Sequence, residues 1–136
     1  YITTAAHEMA HQLGVAAENE ANFIAFYITI KNPDPFIKFS GYSFALRYCY
    51  ADLYIANPEK AKELIAQLKS GIIKNFQEQS AFWRAYQNPF EPYLKKGYDS
   101  YLKANGQDLG IQSYNAMVAL VIAYSKETVF DIENFY

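Results

Sequence analysis

The chain's only two histidines stand four residues apart, in His7-Glu8-Met9-Ala10-His11. That spacing brings two side chains together only in an α-helix, where residues i and i+4 stack about one turn apart. A strand would hold them roughly 13 Å apart. The flanking residues agree with a helix. Ala6, Met9, Ala10 and Leu13 recur at i, i+3, i+4 and i+7, which predicts a buried stripe beside the histidine face. Thr3 or Thr4 is placed to cap the helix start, and Gly14 to end it as a left-handed residue.

The same period runs through the rest of the chain. A second helix is expected from about Val15 to Lys31, burying Phe23, Phe26, Tyr27 and Ile30, before Asn32-Pro33-Asp34-Pro35 breaks it. A third is expected from about Phe39 to Ala56, stopped by Asn57-Pro58, which also starts a fourth running to about Ser70 through Leu64, Ile65 and Leu68. Gly71 would kink that helix into a fifth carrying Ile72, Phe76 and Trp83, ended at Asn88-Pro89. Tyr93 to Asn105, closed by Gly106, and Gln112 to about Thr128, through Val118, Val121 and Ile122, complete the pattern. No segment alternates with period two over a useful length. The expected class is all-α, a compact bundle of six to seven helices with the histidine helix at the N-terminus.

Composition narrows the function classes. With 136 residues, residues 1–136 are expected to form a single domain, and 51% hydrophobic and 18% aromatic content excludes disorder. A net charge of −2 without a run of lysine or arginine leaves no electrostatic footprint for DNA or RNA. Cys49 is the single cysteine, so it forms no disulfide within the chain and is expected to act as a small buried hydrophobe. The longest apolar runs, Phe23 to Ile30 and Ala116 to Tyr124, fall short of the roughly 20 residues that span a bilayer.

His-Glu-x-x-His carries a specific chemistry. Two imidazoles at i and i+4 converge on one metal ion, while Glu8, roughly 100° round the helix, can serve as general base toward a water on that ion without ligating it. Shuffling the chain would give this constellation in about one arrangement in a thousand. The bland alternative is a solvated pair of rings, or rings satisfied by backbone carbonyls. Zinc in hydrolytic sites takes three protein ligands and a water, and with no third histidine the remaining donor is a carboxylate. Glu18 and Glu20 lie just beyond the Gly14 turn. Glu18 is favoured because Asn22, one turn later on its face, can hydrogen-bond the outer nitrogen of a ligating histidine. Glu20 lies along the buried stripe, where a carboxylate needs a partner and a metal would be one. The losing acid would be an ordinary helix N-terminal carboxylate.

HExxH followed by a helix carrying Glu18-Asn19-Glu20-Ala21-Asn22 resembles the gluzincin metallopeptidases, in which that glutamate is the third ligand and the residue four later orients a histidine. Here Asn22 stands where an aspartate is usual. A closer resemblance links His7 to Gly14, Glu18 to Phe23, Ser40-Gly41-Tyr42, Ala45-Leu46-Arg47-Tyr48, Tyr101 to Gln107 and Gly110 to Tyr114 to the bacterial domain-of-unknown-function family 3810. It implies membrane-spanning helices ahead of the HExxH segment, hence a soluble zinc peptidase-like domain that is membrane-associated through upstream chain. A domain rarely starts on its own catalytic helix, so such an upstream region is expected. The metzincin pattern fails, because Ala17 stands where its third histidine belongs.

The expected function is a zinc-dependent hydrolase of the metallopeptidase type, acting on a peptide or protein substrate. His7, His11 and Glu18 would hold Zn2+, Asn22 would orient a histidine, and Glu8 would be the catalytic base. Arg47, Tyr42, Tyr48 and Tyr114 are candidates for stabilising an oxyanion, set against core packing for each tyrosine. The alternative is a non-catalytic helical binding or scaffold domain keeping a structural or vestigial zinc site.

Overall fold

The computed structural model describes residues 2–86 and 113–128. Among them the chain is all-α, with six helices and no strand: α1 (Ile2–Gln12), α2 (Glu18–Ile30), α3 (Pro35–Ala56), α4 (Pro58–Ile65), α5 (Ser70–Tyr86) and α6 (Ser113–Glu127). Contacts group them into two compact units, one of α1, α2, α6 and α3 as far as Asp52, the other of the last turn of α3 with α4 and α5. The helix expected over Tyr93 to Asn105, with its Gly106 stop, and the Asn88-Pro89 break lie outside the described residues.

In the first unit α1 packs on α2, and α2 on α6. The core gathers Phe26 and Ile30 of α2, Ala45 of α3, and Met117 and Val121 of α6, with Phe23, Tyr42, Phe44, Tyr48, Cys49 and Tyr124 packed around it. A close approach joins α2 to α3. A Cβ on Gly41 would collide with Thr29 Oγ1 and lie 3.1 Å from Thr29 Cβ, so only glycine fits there without a shift.

Several expectations need correction. The stripe on α1 is narrower than its periodicity suggests: Ala6 and Ala10 are buried, but Met9 and Leu13 are 58% and 85% exposed. Spacing identifies an apolar face without saying what lies against it, and α2 covers only the two alanines' side. Tyr27 and Ile122 are likewise exposed. The second helix begins at Glu18 because residues 15–17 run outside helix, with Ala17 extended at φ −80° and ψ 125°. The third begins at Pro35, four residues before Phe39. Asp34 Oδ1 accepts the backbone N–H of Phe36 at 2.7 Å and of Ile37 at 3.2 Å, and a proline in the first helical position forfeits no hydrogen bond. The expected break after the second helix holds over residues 31–34, and Pro35 opens the next helix. Cys49 is half-buried, and burial, then the charge of Asp52, pushes its thiol above the ordinary range.

In the second unit Asn57 caps α4, its Oδ1 accepting the Lys60 N–H at 3.0 Å, with Pro58 in the first turn. The chain leaves helix after Ile65 and re-enters it at Ser70, so the junction expected at Gly71 falls earlier. Ala61 is buried, whereas Trp83 is 55% exposed.

Candidate metal centre

Two short helices and the turn between them assemble the site. Gly14, at φ +98°, ends α1 in the left-handed region. The Gly14 N–H bonds His11 C=O at 3.0 Å and the Val15 N–H bonds Ala10 C=O at 3.1 Å, which is the Schellman pair of bonds. This turn also aims the Val15 carbonyl at the site, where it accepts from His11 Nδ1 at 2.7 Å. A carbonyl can only accept, so Nδ1 carries a proton and Nε2 is the ring nitrogen left to face His7 and Glu18. The sequence offered one cue to this partner, the apolar residue directly after a C-capping glycine, and sequence reasoning missed it.

Residues 15–17, outside helix with Ala17 extended, then deliver Glu18 as the first residue of α2. His7 and His11 stand edge to face with ring centroids 4.6 Å apart and Nε2 atoms 3.0 Å apart. Glu18 Oε2 lies 3.4 Å from His7 Nε2, and Glu18 Oε1 lies 3.5 Å from His11 Nε2. One donor atom from each residue falls within 4.8 Å of the others. Ligands at ~2.1 Å in a tetrahedral shell sit ~3.4 Å from one another, so two nitrogens 3.0 Å apart, each with a Glu18 oxygen at 3.4–3.5 Å, are spaced to share a divalent ion.

The surroundings fit the same use. Glu18 is 8% exposed, and a carboxylate so buried needs positive charge or hydrogen bonds around it. His7 Nδ1 and Asn22 Nδ2 are buried without a hydrogen-bond partner among the described residues. Asn22, 3% exposed, lies one turn beyond Glu18 on the same face of α2. Glu8 is exposed on α1, adjacent in sequence to His7. Glu20 is exposed too and stands outside the cluster.

The other candidates have contacts of their own. Tyr42 meets the Phe26 ring edge-on at 6.3 Å, and Tyr48 meets Phe44 at 4.9 Å. Arg47 lines an open groove of about 260 Å³ with Phe44, Tyr48 and Ala51. The side chain of Tyr114 lies outside the described residues. None of these positions is assigned a part in the cluster.

An all-α chain with a two-histidine, one-glutamate donor cluster at its first helical turn-around is the class these observations define. Within it, the family described as "Protein of unknown function (DUF3810)" matches residues 1–122, and the chain belongs to that family. No curated protein and no solved structure matches it.

Proposed function

We propose that this chain is a zinc-dependent hydrolase of the metallopeptidase type, similar in its donor set to the gluzincins. The observation that carries this reading is the spacing of the two imidazole nitrogens, 3.0 Å, and of each from a Glu18 carboxylate oxygen, 3.4 and 3.5 Å, in register with an HExxH helix. His7 Nε2, His11 Nε2 and the Glu18 carboxylate would hold the ion. Zinc in such a site acts as a Lewis acid and lowers the pKa of its water to about 7. Glu8 would be the general base, taking a proton from the attacking water and returning it to the departing amine. The Val15 carbonyl holds the His11 ring through Nδ1, which leaves Nε2 for the ion, and Glu8 is exposed on α1.

Membrane association enters through the family resemblance alone. No helix among the described residues is long and apolar enough to cross a bilayer.

The test is Glu8→Gln. Zinc content should equal that of the wild type, while hydrolysis of an unstructured peptide mixture falls by roughly 10²–10⁴-fold, the usual contribution of a general base. Unchanged hydrolysis in the variant refutes the mechanism. Zinc bound at one equivalent with no hydrolysis by the wild type moves the reading to a structural site in a binding domain.

A further inference from the structure

The side of α2 turned away from the metal cluster carries a second pattern. Glu20, Ile24, Tyr27 and Lys31 succeed one another at spacings of four, three and four, the period of a coiled-coil seam. The stripe lies roughly 180° round the helix from Glu18 and Asn22. Glu20 and Lys31 are exposed and Ile24 is half-buried, while Tyr27 is 41% exposed and Ile28, beside the stripe, 44%. α2 gives Phe26 and Ile30 to the core from another face, so the stripe is not its packing side within the chain. Exposed apolar residues scattered singly need no explanation, but a contiguous run at seam spacing marks an interaction surface.

The charges on the stripe select the partner. An acid stands near its start and a base closes it, Lys31 being the C-cap of α2 in helical conformation. The macrodipole favours that order of charges but gives no reason for the apolar surface of Ile24, Tyr27 and Ile28 between them. Laid antiparallel on a copy of itself, the stripe is self-complementary. Glu20 meets Lys31 of the other copy and Ile24 meets Tyr27, each pair occurring twice about a two-fold axis. A parallel pairing would set Glu20 against Glu20 and Lys31 against Lys31. Lys31 is also held on the stripe in the single chain, its Nζ 5.9 Å from the ring centroids of Tyr27 and of Tyr124, which lowers the entropy cost of ordering it at a contact.

We infer that a second copy of this chain docks on this stripe, α2 against α2 in an antiparallel two-fold pair, with Glu20 of each copy against Lys31 of the other and Ile24 against Tyr27. The inference goes beyond the hydrolase reading and uses none of its residues, since the donor cluster lies on the opposite side of α2 and stays open in the pair. Side chains of this number and exposure cover on the order of 300–400 Å² per copy, about half of the ~800 Å² per partner found in stable complexes. The pair is therefore weak, with a dissociation constant of roughly 100 µM.

Sedimentation equilibrium of the chain from about 10 µM to about 1 mM brackets that constant, and far-ultraviolet dichroism checks that each variant is folded. The mass should rise with concentration from 15.6 kDa toward twice that value. Glu20→Lys and Lys31→Glu should each weaken association roughly 10- to 30-fold, because either reversal turns two attractive pairs into two repulsive ones. The double variant Glu20→Lys with Lys31→Glu should associate within about threefold of the wild type. Its charges oppose the macrodipole, so recovery in this variant comes from pairing between copies and not from a steadier helix. Ile28→Asp, at the edge of the stripe, should leave a monomer throughout. A wild type that stays at 15.6 kDa across the range, leaving the stripe to another protein or to a lipid surface, overturns the inference. So does a mass that climbs past the dimer, or a dimer indifferent to both single reversals. If Lys31→Glu does not fold, the wild type, Glu20→Lys and Ile28→Asp still decide the matter, and no outcome bears on zinc binding.

Discussion

Replacing Glu18 and Glu20 separately by alanine asks which carboxylate belongs to the proposed metal site. The two acids are two residues apart on one helical turn, so changes in net charge and helix propensity are nearly matched. Zinc bound by four protein ligands gives apparent free energies of about 10–16 kcal/mol, or about 3 kcal/mol per ligand. Loss of Glu18 should then weaken zinc by roughly 10²-fold or more. Glu20 is exposed, and a unit charge about one Debye length, ~8 Å, from a divalent ion in water contributes only about 0.4 kcal/mol after screening. Its loss should therefore cost about twofold. Competition against a chromophoric chelator at neutral pH measures both constants, with far-ultraviolet dichroism checking that each variant is folded. Equal weakening by the two substitutions, or loss of binding with Glu20→Ala alone, would refute the assignment of Glu18 and leave the histidine pair without its third donor.

Other expectations follow from the packing and caps. Gly41→Ala should destabilise the fold by about 1–3 kcal/mol, read as a lower urea midpoint, because Thr29 Oγ1 is tied to the Ala25 and Phe26 carbonyls at 2.7 and 2.9 Å and has little freedom to move aside; an unchanged midpoint would contradict the close approach. Asn57→Ala removes the α4 cap and should cost about 1 kcal/mol, with hydrogen exchange accelerating first at Lys60. The raised Cys49 thiol should react with a disulfide reagent at mildly alkaline pH much more slowly in the folded chain than in urea. Its folded state holds the proton more tightly than the unfolded one, so the associated stability is intact below the ordinary thiol range and declines as pH rises through the elevated value; Cys49→Ala should flatten that alkaline decline.

Much of the site could be read from the residues because its rules are local. Histidine spacing, a glycine in the left-handed region and a carboxylate soon after the turn are each properties of a few adjacent positions. Choosing between Glu18 and Glu20 depended on the register of α2, which the three non-helical residues 15–17 set and no periodicity reports. The misread elements share a cause. Pro35 looks the same as a breaker and as a first helical residue until Asp34 is seen capping it. Met9 and Leu13 match a buried stripe in spacing, yet burial depends on a neighbour that amphipathicity does not name. The all-α class was legible throughout, since it needs only the period.

Val15 faces two ways at once. Its amide closes the end of α1 and its carbonyl steadies the His11 ring, so fraying of that helix end and loosening of the ring are a single event. If zinc occupies the proposed site, warming should thus speed its release below the temperature at which Phe26, Met117 and their neighbours come apart, so that the site fails by its hinge before its foundations.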